Sequence, residues 1–171
     1  MVNNPGCGAQ QRAERLGIPV SVLDHRLIKD RRELDGELVR LFRADQVELV
    51  VMAGWMRIVT EVLISGYSDR LINIHPSLLP KYGGHGMYGR RVHEAVIAAG
   101  EQVSGCTIHL VTEKYDEGPV LDHMEVPVKE GDTAEILASR VFEAECQLLP
   151  STLVAMANGE ISLTDATRGI R

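Results

Sequence analysis

The fold and the site of this 171-residue chain are decided by one stretch, Leu71-Ile72-Asn73-Ile74-His75-Pro76-Ser77-Leu78-Leu79-Pro80. Side chains alternate across a strand, so Asn73 and His75 share one face and the isoleucines share the other. Pro76 keeps the residue before it extended and ends the ladder. Polar side chains at the end of a buried strand are costly unless they bind something. Because ligands bind at the carboxyl ends of strands in open α/β sheets, the stretch predicts the edge of an active site.

Composition restricts the classes of function. Hydrophobic residues make up 44% of the chain and charged residues 25%, which is typical of one globular domain with a real core. The formal net charge is −6 and no run is rich in Lys and Arg, so nucleic acid is not expected as the main partner. The longest apolar runs, such as residues 49–53, are too short to span a membrane. Three cysteines without metal-like spacing predict reduced thiols in the cytoplasm.

The periodicity of apolar residues predicts strands that alternate with helices. The predicted helices are 6–16, 31–44, 60–65, 89–99 and one that opens at a capping box at 132–135. The predicted strands are 20–23, 48–53, 71–75, 103–112 and 120–128. Pro150 is expected to kink or interrupt the last helix. Two β-α-β passes followed by a hairpin-like pair predict an α/β fold with a mostly parallel sheet and a mixed edge.

Three residues could carry chemistry. Histidine gives or takes protons near neutral pH, which makes His75 the best acid–base candidate. Asn73 could hold a carbonyl or a developing oxyanion without titrating. Asp116 by itself would be an ordinary turn aspartate, although a carboxylate near an imidazole stabilises the charged ring. The sequence has neither the ligand spacing of a zinc site nor a G-x-S-x-G nucleophile motif, so neither a metal nor an acyl-enzyme is expected.

Other positions stay open. His109 alternates with apolar neighbours, and a structural or supporting role is favoured over a catalytic one. Glu145 lies at the edge of the apolar stripe of the last helix, where a solvated flank and a functional role are equally supported. Residues 55–59 follow a buried strand, and they could line a pocket for a flat heterocycle or simply pack in the core.

Five motifs of the chain occur in a specific combination, namely Asn73–Pro80, Lys81–Gly89, Gly105–His109, Asp116–Pro119 and Ala53–Ile58. Together they resemble one enzyme family, phosphoribosylglycinamide formyltransferase, the folate-dependent enzyme of purine synthesis. The combination is specific, whereas versions of the H-P-S-L-L-P string occur in related formyl-folate enzymes. The resemblance runs over essentially the whole chain. It implies one catalytic domain over residues 1–171 with the formyltransferase fold, a three-layer Rossmann-like α/β structure around a mostly parallel sheet.

The resemblance also implies a reaction and roles. The amine of glycinamide ribonucleotide would attack the formyl carbon of 10-formyltetrahydrofolate, the co-substrate, without a metal. Asn73 would hold the formyl oxygen, His75 would donate a proton and Asp116 would pair with His75. The implied folate-binding residues are Arg31, Met56, Arg57, Ile58, Val59, Asn73, Thr112, Glu113, Lys114, Tyr115 and Asp116. The implied ribonucleotide-binding residues are Phe142, Glu143, Ala144 and Glu145. The expected partners are these small molecules, with no nucleic acid and no membrane, and the expected state is a cytoplasmic monomer or homodimer.

One departure from the family is as informative as the match. The family begins with a strand and a turn of the form G-N-G-S-N, which binds the substrate phosphate at a helix N-terminus, and nothing here matches it. Residues 1–4 align with the end of the family's second strand. The fold is therefore expected to be incomplete at its N-terminus, with the first strand–helix unit missing and ribonucleotide binding weakened.

Two alternatives to the transferase remain. Formyltetrahydrofolate deformylase, a hydrolase, has the same Asn/His/Asp trio, but its motif tends to read H-H-S-F-L-P. Pro76, Leu78 and the loop 81–89 favour the transferase. The other alternative is a non-catalytic folate-binding remnant.

Overall fold

The computed structural model describes residues 1–163, which fall into two compact units. The first unit comprises Met1–Val47 and Ile58–Gly66. The second comprises Glu48–Arg57 and the described residues from Tyr67 onward.

The first unit is helical. Its helices are α1 (Gly8–Arg15), α2 (Arg31–Ala44) and α3 (Glu61–Gly66). The bounds of α2 are those predicted, because Asp30 caps the helix by accepting the N–H of Glu33 at 2.9 Å. The Asp35 carboxylate, which is buried, accepts from the N–H and the hydroxyl of Thr60 and so ties α2 to the start of α3.

The predicted strand at 20–23 is wrong in extent. Only Val22 forms a bridge, in parallel with Val2. Leu23 donates its N–H to the carbonyl of Val2, and Val2 donates to the carbonyl of Ser21, both at 2.9 Å. The partner segment cannot extend further because Pro5 follows and its turn ends the extended backbone.

The second unit is built on a four-stranded sheet. Its strands are β1 (Val50–Met52), β2 (Leu71–His75), β3 (Val103–Leu110) and β4 (Val120–Pro127), in the order β1-β2-β3-β4. The α/β class is confirmed. The prediction of a mostly parallel sheet needs correction for the described strands, because β1 and β2 are parallel whereas β2–β3 and β3–β4 are antiparallel.

The direction of β3 follows from where the chain returns to the sheet. Lys81, which follows β2, pairs with Glu101, which precedes β3, at 2.9 Å. Strand β3 therefore starts where β2 ends and must run antiparallel to it. Residues 111–119 then turn the chain directly into the neighbouring strand β4, which makes that pair antiparallel as well.

The core of the second unit lies between the sheet and two helices, α4 (Arg90–Ala98) and α5 (Ala134–Ala157). Helix α5 packs against β3, β4 and α4. The core brings apolar residues of β2 and β3 together with one face of α5, namely Ile72, Ile74, Cys106, Ile108, Leu110, Leu137, Val141, Ala144 and Leu148. One face of β2 and β3 is thus used for packing, which leaves the other for polar groups.

The start of α5 is capped one position later than predicted. Thr133 is the N-cap, and its hydroxyl accepts the N–H of Ile136 at 3.3 Å. Asp132 serves a different purpose, because its carboxylate binds the Arg140 guanidinium at 2.6 and 3.0 Å. This pair holds the pKa of Asp132 at about 2, below the ordinary value.

The predicted interruption of α5 at Pro150 does not occur, and the helix continues to Ala157. Proline removes one N–H from the ladder. The carbonyl that loses its donor is that of Cys146, and the nearby hydroxyls do not replace it, since Ser151 Oγ donates to the carbonyls of Gln147 and Leu148 and Thr152 Oγ1 to that of Leu148. Burial of the helix face against the sheet outweighs the missing bond.

Candidate active site

The polar residues of β2 and β3 share the face of the sheet that is not used for the core. The strand register pairs Asn73 with His109 and His75 with Thr107. His75, Thr107 and His109 are each at most 4% exposed. Buried polar groups must be satisfied by hydrogen bonds, so the partners of these four side chains define the site.

Thr107 fixes the loop that follows β2. Its hydroxyl donates to the carbonyl of Ser77 at 2.7 Å and accepts the N–H of Leu79 at 3.1 Å. Gly105 allows the loop to close on β3, since a Cβ there would lie 2.7 Å from a methyl group of Leu78 and 2.1 Å from a carbonyl oxygen of β4. The first residues of the loop after β2 are therefore held against β3.

His75 lies between a backbone carbonyl and a carboxylate. Its Nε2 is 2.9 Å from the carbonyl oxygen of Tyr82. A carbonyl can only accept, so Nε2 carries a proton. Its Nδ1 lies 3.6 Å from Oδ2 of Asp116. While the bond to Tyr82 persists, only Nδ1 can gain or lose a proton, and protonation there places a positive ring beside the carboxylate.

Asp116 lies in a turn with an unusual backbone. Its φ of +57° is in the left-handed region, which residues with a side chain rarely adopt. Its Oδ2 accepts the N–H of Gly84 at 2.9 Å, which ties this turn to the glycine-rich loop. Gly118 lets the turn approach β3, since a Cβ there would lie 1.8 Å from the carbonyl oxygen of Leu110. Two loops thus meet at the Asp116 carboxylate.

His109 orients the side chain of Asn73. Its Nδ1 donates to the Leu110 carbonyl at 2.9 Å, which leaves Nε2 to accept from Nδ2 of Asn73 at 3.2 Å. Burial lowers the pKa of His109 and outweighs the opposite effects of the Leu110 carbonyl and Asp116. The ring is therefore neutral near neutral pH, and its 3.5 Å approach to Oδ1 of Asp116 is not an ion pair. The Asn73 amide has a second N–H that can bind a carbonyl oxygen.

The loop after β1 carries unpaired donors. Nε1 of Trp55 and Nε of Arg57 are buried and have no hydrogen-bond partner within residues 1–163. Met56 between them is 60% exposed. Buried donors without partners are costly, and a ligand rich in acceptors, such as a folate heterocycle, would satisfy them. The part of this loop in folate binding stays a prediction.

The predicted folate residues 112–116 form the loop between β3 and β4. The hydroxyl of Thr112 donates to the carbonyl of Lys114 at 3.1 Å. Glu113 and Lys114 are exposed. Tyr115 is 42% exposed, and its ring centroid lies 6.2 Å from that of His85. The last residue of this stretch, Asp116, is the one that reaches His75, with its Oδ2 at 3.6 Å from Nδ1.

Three predicted folate residues belong to the first unit. Arg31 is the first residue of α2 and is exposed. Ile58 is 36% exposed, and Val59 is half-buried ahead of α3. Their part in folate binding stays a prediction.

The predicted ribonucleotide residues lie on α5 and differ in exposure. Phe142 is 59% exposed and Glu143 is exposed. Ala144 is 4% exposed and packs in the core, so its side chain is not offered to a ligand. Glu145 is half-buried, and burial raises its pKa to about 6. Burial destabilises the ionised carboxylate, and a ligand with cationic or hydroxyl groups would stabilise it.

Sequence reasoning does not find every residue of this cluster. It favours a supporting role for His109, which lies between Asn73 and Asp116, but the strand register that brings them together is not visible in the sequence. It does not single out Tyr82 or Glu101, although Tyr82 supplies the carbonyl for His75 and its hydroxyl donates to Glu101 at 2.9 Å.

Comparison with known proteins identifies the family. The family model described as "Formyl transferase" matches residues 1–153. The crystal structure of glycinamide ribonucleotide transformylase 1 from Symbiobacterium toebii matches with a TM-score of 0.85 and 33% identity, over 92% of this chain and 73% of that chain. This chain belongs to the phosphoribosylglycinamide formyltransferase family.

Two further relatives match nearly the whole chain, one a phosphoribosylglycinamide formyltransferase and the other a trifunctional protein. The chloroplastic phosphoribosylglycinamide formyltransferase of Vigna unguiculata is 40% identical over 161 residues, which are 94% of this chain and 52% of that protein. The trifunctional purine biosynthetic protein adenosine-3 of Gallus gallus is 39% identical over 164 residues, which are 96% of this chain and 16% of that protein. The chain spans only part of the curated relatives that it matches.

Three general properties complete the description. No helix within residues 1–163 combines the length and the apolar character that crossing a membrane requires. The same residues hold no cluster of three or more His, Cys, Asp or Glu placed to bind a metal ion. Cys7, Cys106 and Cys146 are free, and burial raises the pKa of the Cys106 thiol to about 12.

Proposed function

We propose that this chain transfers the formyl group of 10-formyltetrahydrofolate to the amine of glycinamide ribonucleotide, with residues 1–171 acting as one catalytic domain. The observation that carries the proposal is the convergence of Asn73, His75 and Asp116 on the polar face of the sheet in a member of this family. Relatives named phosphoribosylglycinamide formyltransferase support formyl transfer to this ribonucleotide.

The proposed reaction forms one bond and breaks one. The amine nitrogen bonds to the formyl carbon, and the bond between that carbon and N10 of the folate breaks. The amine gives up one proton and N10 takes one, so the products are the N-formyl ribonucleotide and tetrahydrofolate. The co-substrate supplies the formyl carbon, and the protein supplies orientation, charge stabilisation and a proton carrier.

Asn73 is proposed to hold the formyl oxygen while that oxygen carries negative charge. One N–H of its amide is used on His109, and the second is available for the oxygen. His109 is itself fixed by the Leu110 carbonyl, so the donor is oriented before the substrate binds. A donor placed in advance where charge develops lowers the energy of the transition state.

His75 is proposed to carry the proton through Nδ1, because the Tyr82 carbonyl engages Nε2. Asp116 lies 3.6 Å from that nitrogen and would stabilise the protonated ring. The pair can accept the proton that the amine loses and return it to N10. General acid–base catalysis of this kind contributes roughly 10²–10⁴-fold.

The remaining residues are proposed to bind the two substrates. Trp55 and Arg57 would donate to the folate heterocycle, and Met56 and residues 112–116 of the same unit are proposed to contact it as well. For Arg31, Ile58 and Val59 of the first unit, a folate-binding role is proposed from the family resemblance alone. The exposed and half-buried residues of 142–145, above all Glu145, would contact the ribonucleotide. We propose that the enzyme acts in the cytoplasm, where its three free thiols stay reduced, as a monomer or homodimer.

The experiment that tests the proposal is product analysis with 10-formyltetrahydrofolate labelled with ¹³C in the formyl group. We expect labelled N-formyl ribonucleotide from the wild-type chain, and a rate lower by roughly 10²–10⁴-fold from His75→Ala. His25→Ala is the matched control, because that ring bonds to the Asn3 carbonyl in the first unit. Release of labelled formate in an assay that lacks glycinamide ribonucleotide would identify a deformylase. Binding of the folate with formation of neither product would identify a binding remnant.

A further inference from the structure

Tyr82 links the candidate proton carrier to a charged residue outside the site. Its backbone carbonyl accepts from His75 at 2.9 Å, and its hydroxyl donates to Oε1 of Glu101 at 2.9 Å. Lys81 Nζ binds the same carboxylate oxygen at 2.9 Å. Tyr82 thus has its backbone carbonyl at the site and its side-chain hydroxyl at the junction between α4 and β3.

The backbone of Tyr82 is held in a conformation that it would not choose by itself. Its φ is +56°, in the left-handed region that disfavours a residue with a Cβ. This conformation directs the carbonyl at His75. The Tyr82 ring is half-buried and packs against the hydrophobic core of the second unit. Contacts of the side chain must therefore offset the backbone cost.

Glu101 is well placed to supply such a contact. It follows Gly100, which lies just past the end of α4, and its own N–H donates to the Val96 carbonyl of that helix. The Lys81 ammonium and the Tyr82 hydroxyl lower the pKa of Glu101, in that order of importance, so the carboxylate is charged. Burial raises the pKa of the Tyr82 hydroxyl, with Glu101 adding to the effect, so the hydroxyl remains a donor.

We propose that Glu101 is a positioning residue for catalysis, which acts through the Tyr82 hydroxyl to hold the Tyr82 carbonyl against Nε2 of His75 and so selects the tautomer whose Nδ1 faces Asp116. This inference rests on the proposed function only in giving His75 the proton-carrying role. Neither Glu101 nor Tyr82 touches the reacting atoms through its side chain. Their effect is on which ring nitrogen of His75 is free to exchange a proton.

The tautomer can be read directly by ¹⁵N NMR of the histidine rings, with the His75 signals assigned from the His75→Ala spectrum. In the wild-type chain with a neutral ring, Nε2 should show the shift of a protonated nitrogen and Nδ1 that of an unprotonated one. In Glu101→Ala and in Tyr82→Phe, the two shifts should move towards each other as the tautomers mix. This measurement needs no substrate, so it decides the positioning role even if formyl transfer fails.

The kinetic test uses matched variants. Glu101→Ala and Tyr82→Phe should each lower kcat by about three- to tenfold, the scale of one hydrogen bond, with KM for the folate nearly unchanged. The double variant should be no slower than either single variant, because both remove one interaction. Glu101→Gln keeps an acceptor oxygen for the Tyr82 hydroxyl and should restore most of the rate.

Two controls separate positioning from general damage. Tyr88→Phe makes the same change in the same loop, where the ring lies 5.0 Å from the Arg91 guanidinium. Glu94→Gln removes the charge from another surface ion pair, with Arg90. Neither should move the His75 signals. The proposal is overturned if the His75 nitrogen shifts are the same in wild type, Glu101→Ala and Tyr82→Phe, or if Glu101→Gln is as slow as Glu101→Ala.

Discussion

Asn73 and His109 face each other across β2 and β3, and the asparagine amide donates to Nε2 of the histidine at 3.2 Å. The two buried histidines of this cluster use opposite ring nitrogens. His109 donates from Nδ1 to a carbonyl, which leaves Nε2 to orient an amide. His75 donates from Nε2 to a carbonyl, which leaves Nδ1 beside Asp116. Backbone carbonyls thus leave Nε2 of His109 free for the Asn73 amide and Nδ1 of His75 free beside Asp116, as the proposed roles require.

Replacing His109 should leave the Asn73 amide without the hydrogen bond that orients it and so slow catalysis. We expect His109→Ala to lower kcat by roughly 10- to 100-fold, part of the 10²–10³-fold that loss of an oxyanion donor costs. Steady-state kinetics of the single variants and of Asn73→Ala/His109→Ala check this. The double variant should be no slower than Asn73→Ala, because both changes act through one amide. If the two losses multiply instead, His109 acts independently of Asn73.

Replacing His75 should cost stability as well as activity. The residue is 4% exposed, and loss of its ring leaves the Tyr82 carbonyl without its donor. An unsatisfied buried acceptor costs about 1–3 kcal/mol. We expect the free energy of unfolding of His75→Ala, measured in urea, to fall by that amount relative to the wild type. An unchanged value would mean that water replaces the ring at no cost.

Glycine is required where the Asp116 turn meets β3. A Cβ at Gly118 would lie 1.8 Å from a backbone oxygen, so Gly118→Ala must displace the backbone. We expect a loss of about 1–3 kcal/mol or more of stability, together with loss of activity because Asp116 moves. Gly36→Ala is the matched control, since a Cβ there meets nothing within 4 Å in the middle of α2. That change should stabilise the chain by about 0.5–1 kcal/mol.

Chemical denaturation of both glycine variants, followed by circular dichroism, gives the two free energies. A Gly118→Ala variant that is as stable and as active as the wild type would show that the turn does not depend on this close approach.

Glu145 should show a conflict between stability and binding. Burial raises its pKa from the ordinary 4.5 to about 6 in the folded chain. The ionised carboxylate therefore destabilises the fold, an effect absent below pH 4.5, growing between pH 4.5 and 6, and constant above. The difference corresponds to at most about 2 kcal/mol.

We expect Glu145→Gln to be more stable than the wild type at pH 8 by up to about 2 kcal/mol, and equally stable at pH 4. Its affinity for glycinamide ribonucleotide should fall by about tenfold or more, since a charged hydrogen-bond acceptor is lost. Denaturation at the two pH values and calorimetric titration check the two effects. Equal stabilities at pH 8 would contradict the burial of an ionised group.

Local signals in the sequence predict much of the fold. The bounds of α2 and β2 are those predicted, because a cap at Asp30 and a proline after His75 fix them within a few residues. The strand at 20–23 shrinks to a bridge because its extent depends on a partner segment distant in sequence. The direction of β3 likewise depends on where the chain returns to the sheet, which no local pattern encodes.

The candidate site divides in the same way. Asn73 and His75 are visible in the sequence because they alternate on one short strand. The role of Asp116 is predicted only through the family motif, because only the folded loop brings its carboxylate to 3.6 Å from His75. The contacts of His109 and Glu101 could not be predicted, because they follow from strand register and from a loop conformation with positive φ at Tyr82.

Formyl transfer by Asn73, His75 and Asp116 is tested most directly by single-turnover kinetics. The ¹³C-formyl group is followed from bound 10-formyltetrahydrofolate to glycinamide ribonucleotide in the wild type, Asn73→Ala, His75→Ala and Asp116→Asn. Each change should slow the transfer step by roughly 10²-fold or more, with folate affinity altered by less than about tenfold. Transfer at the wild-type rate by any of the three variants, with folate bound, would contradict the role assigned to that residue.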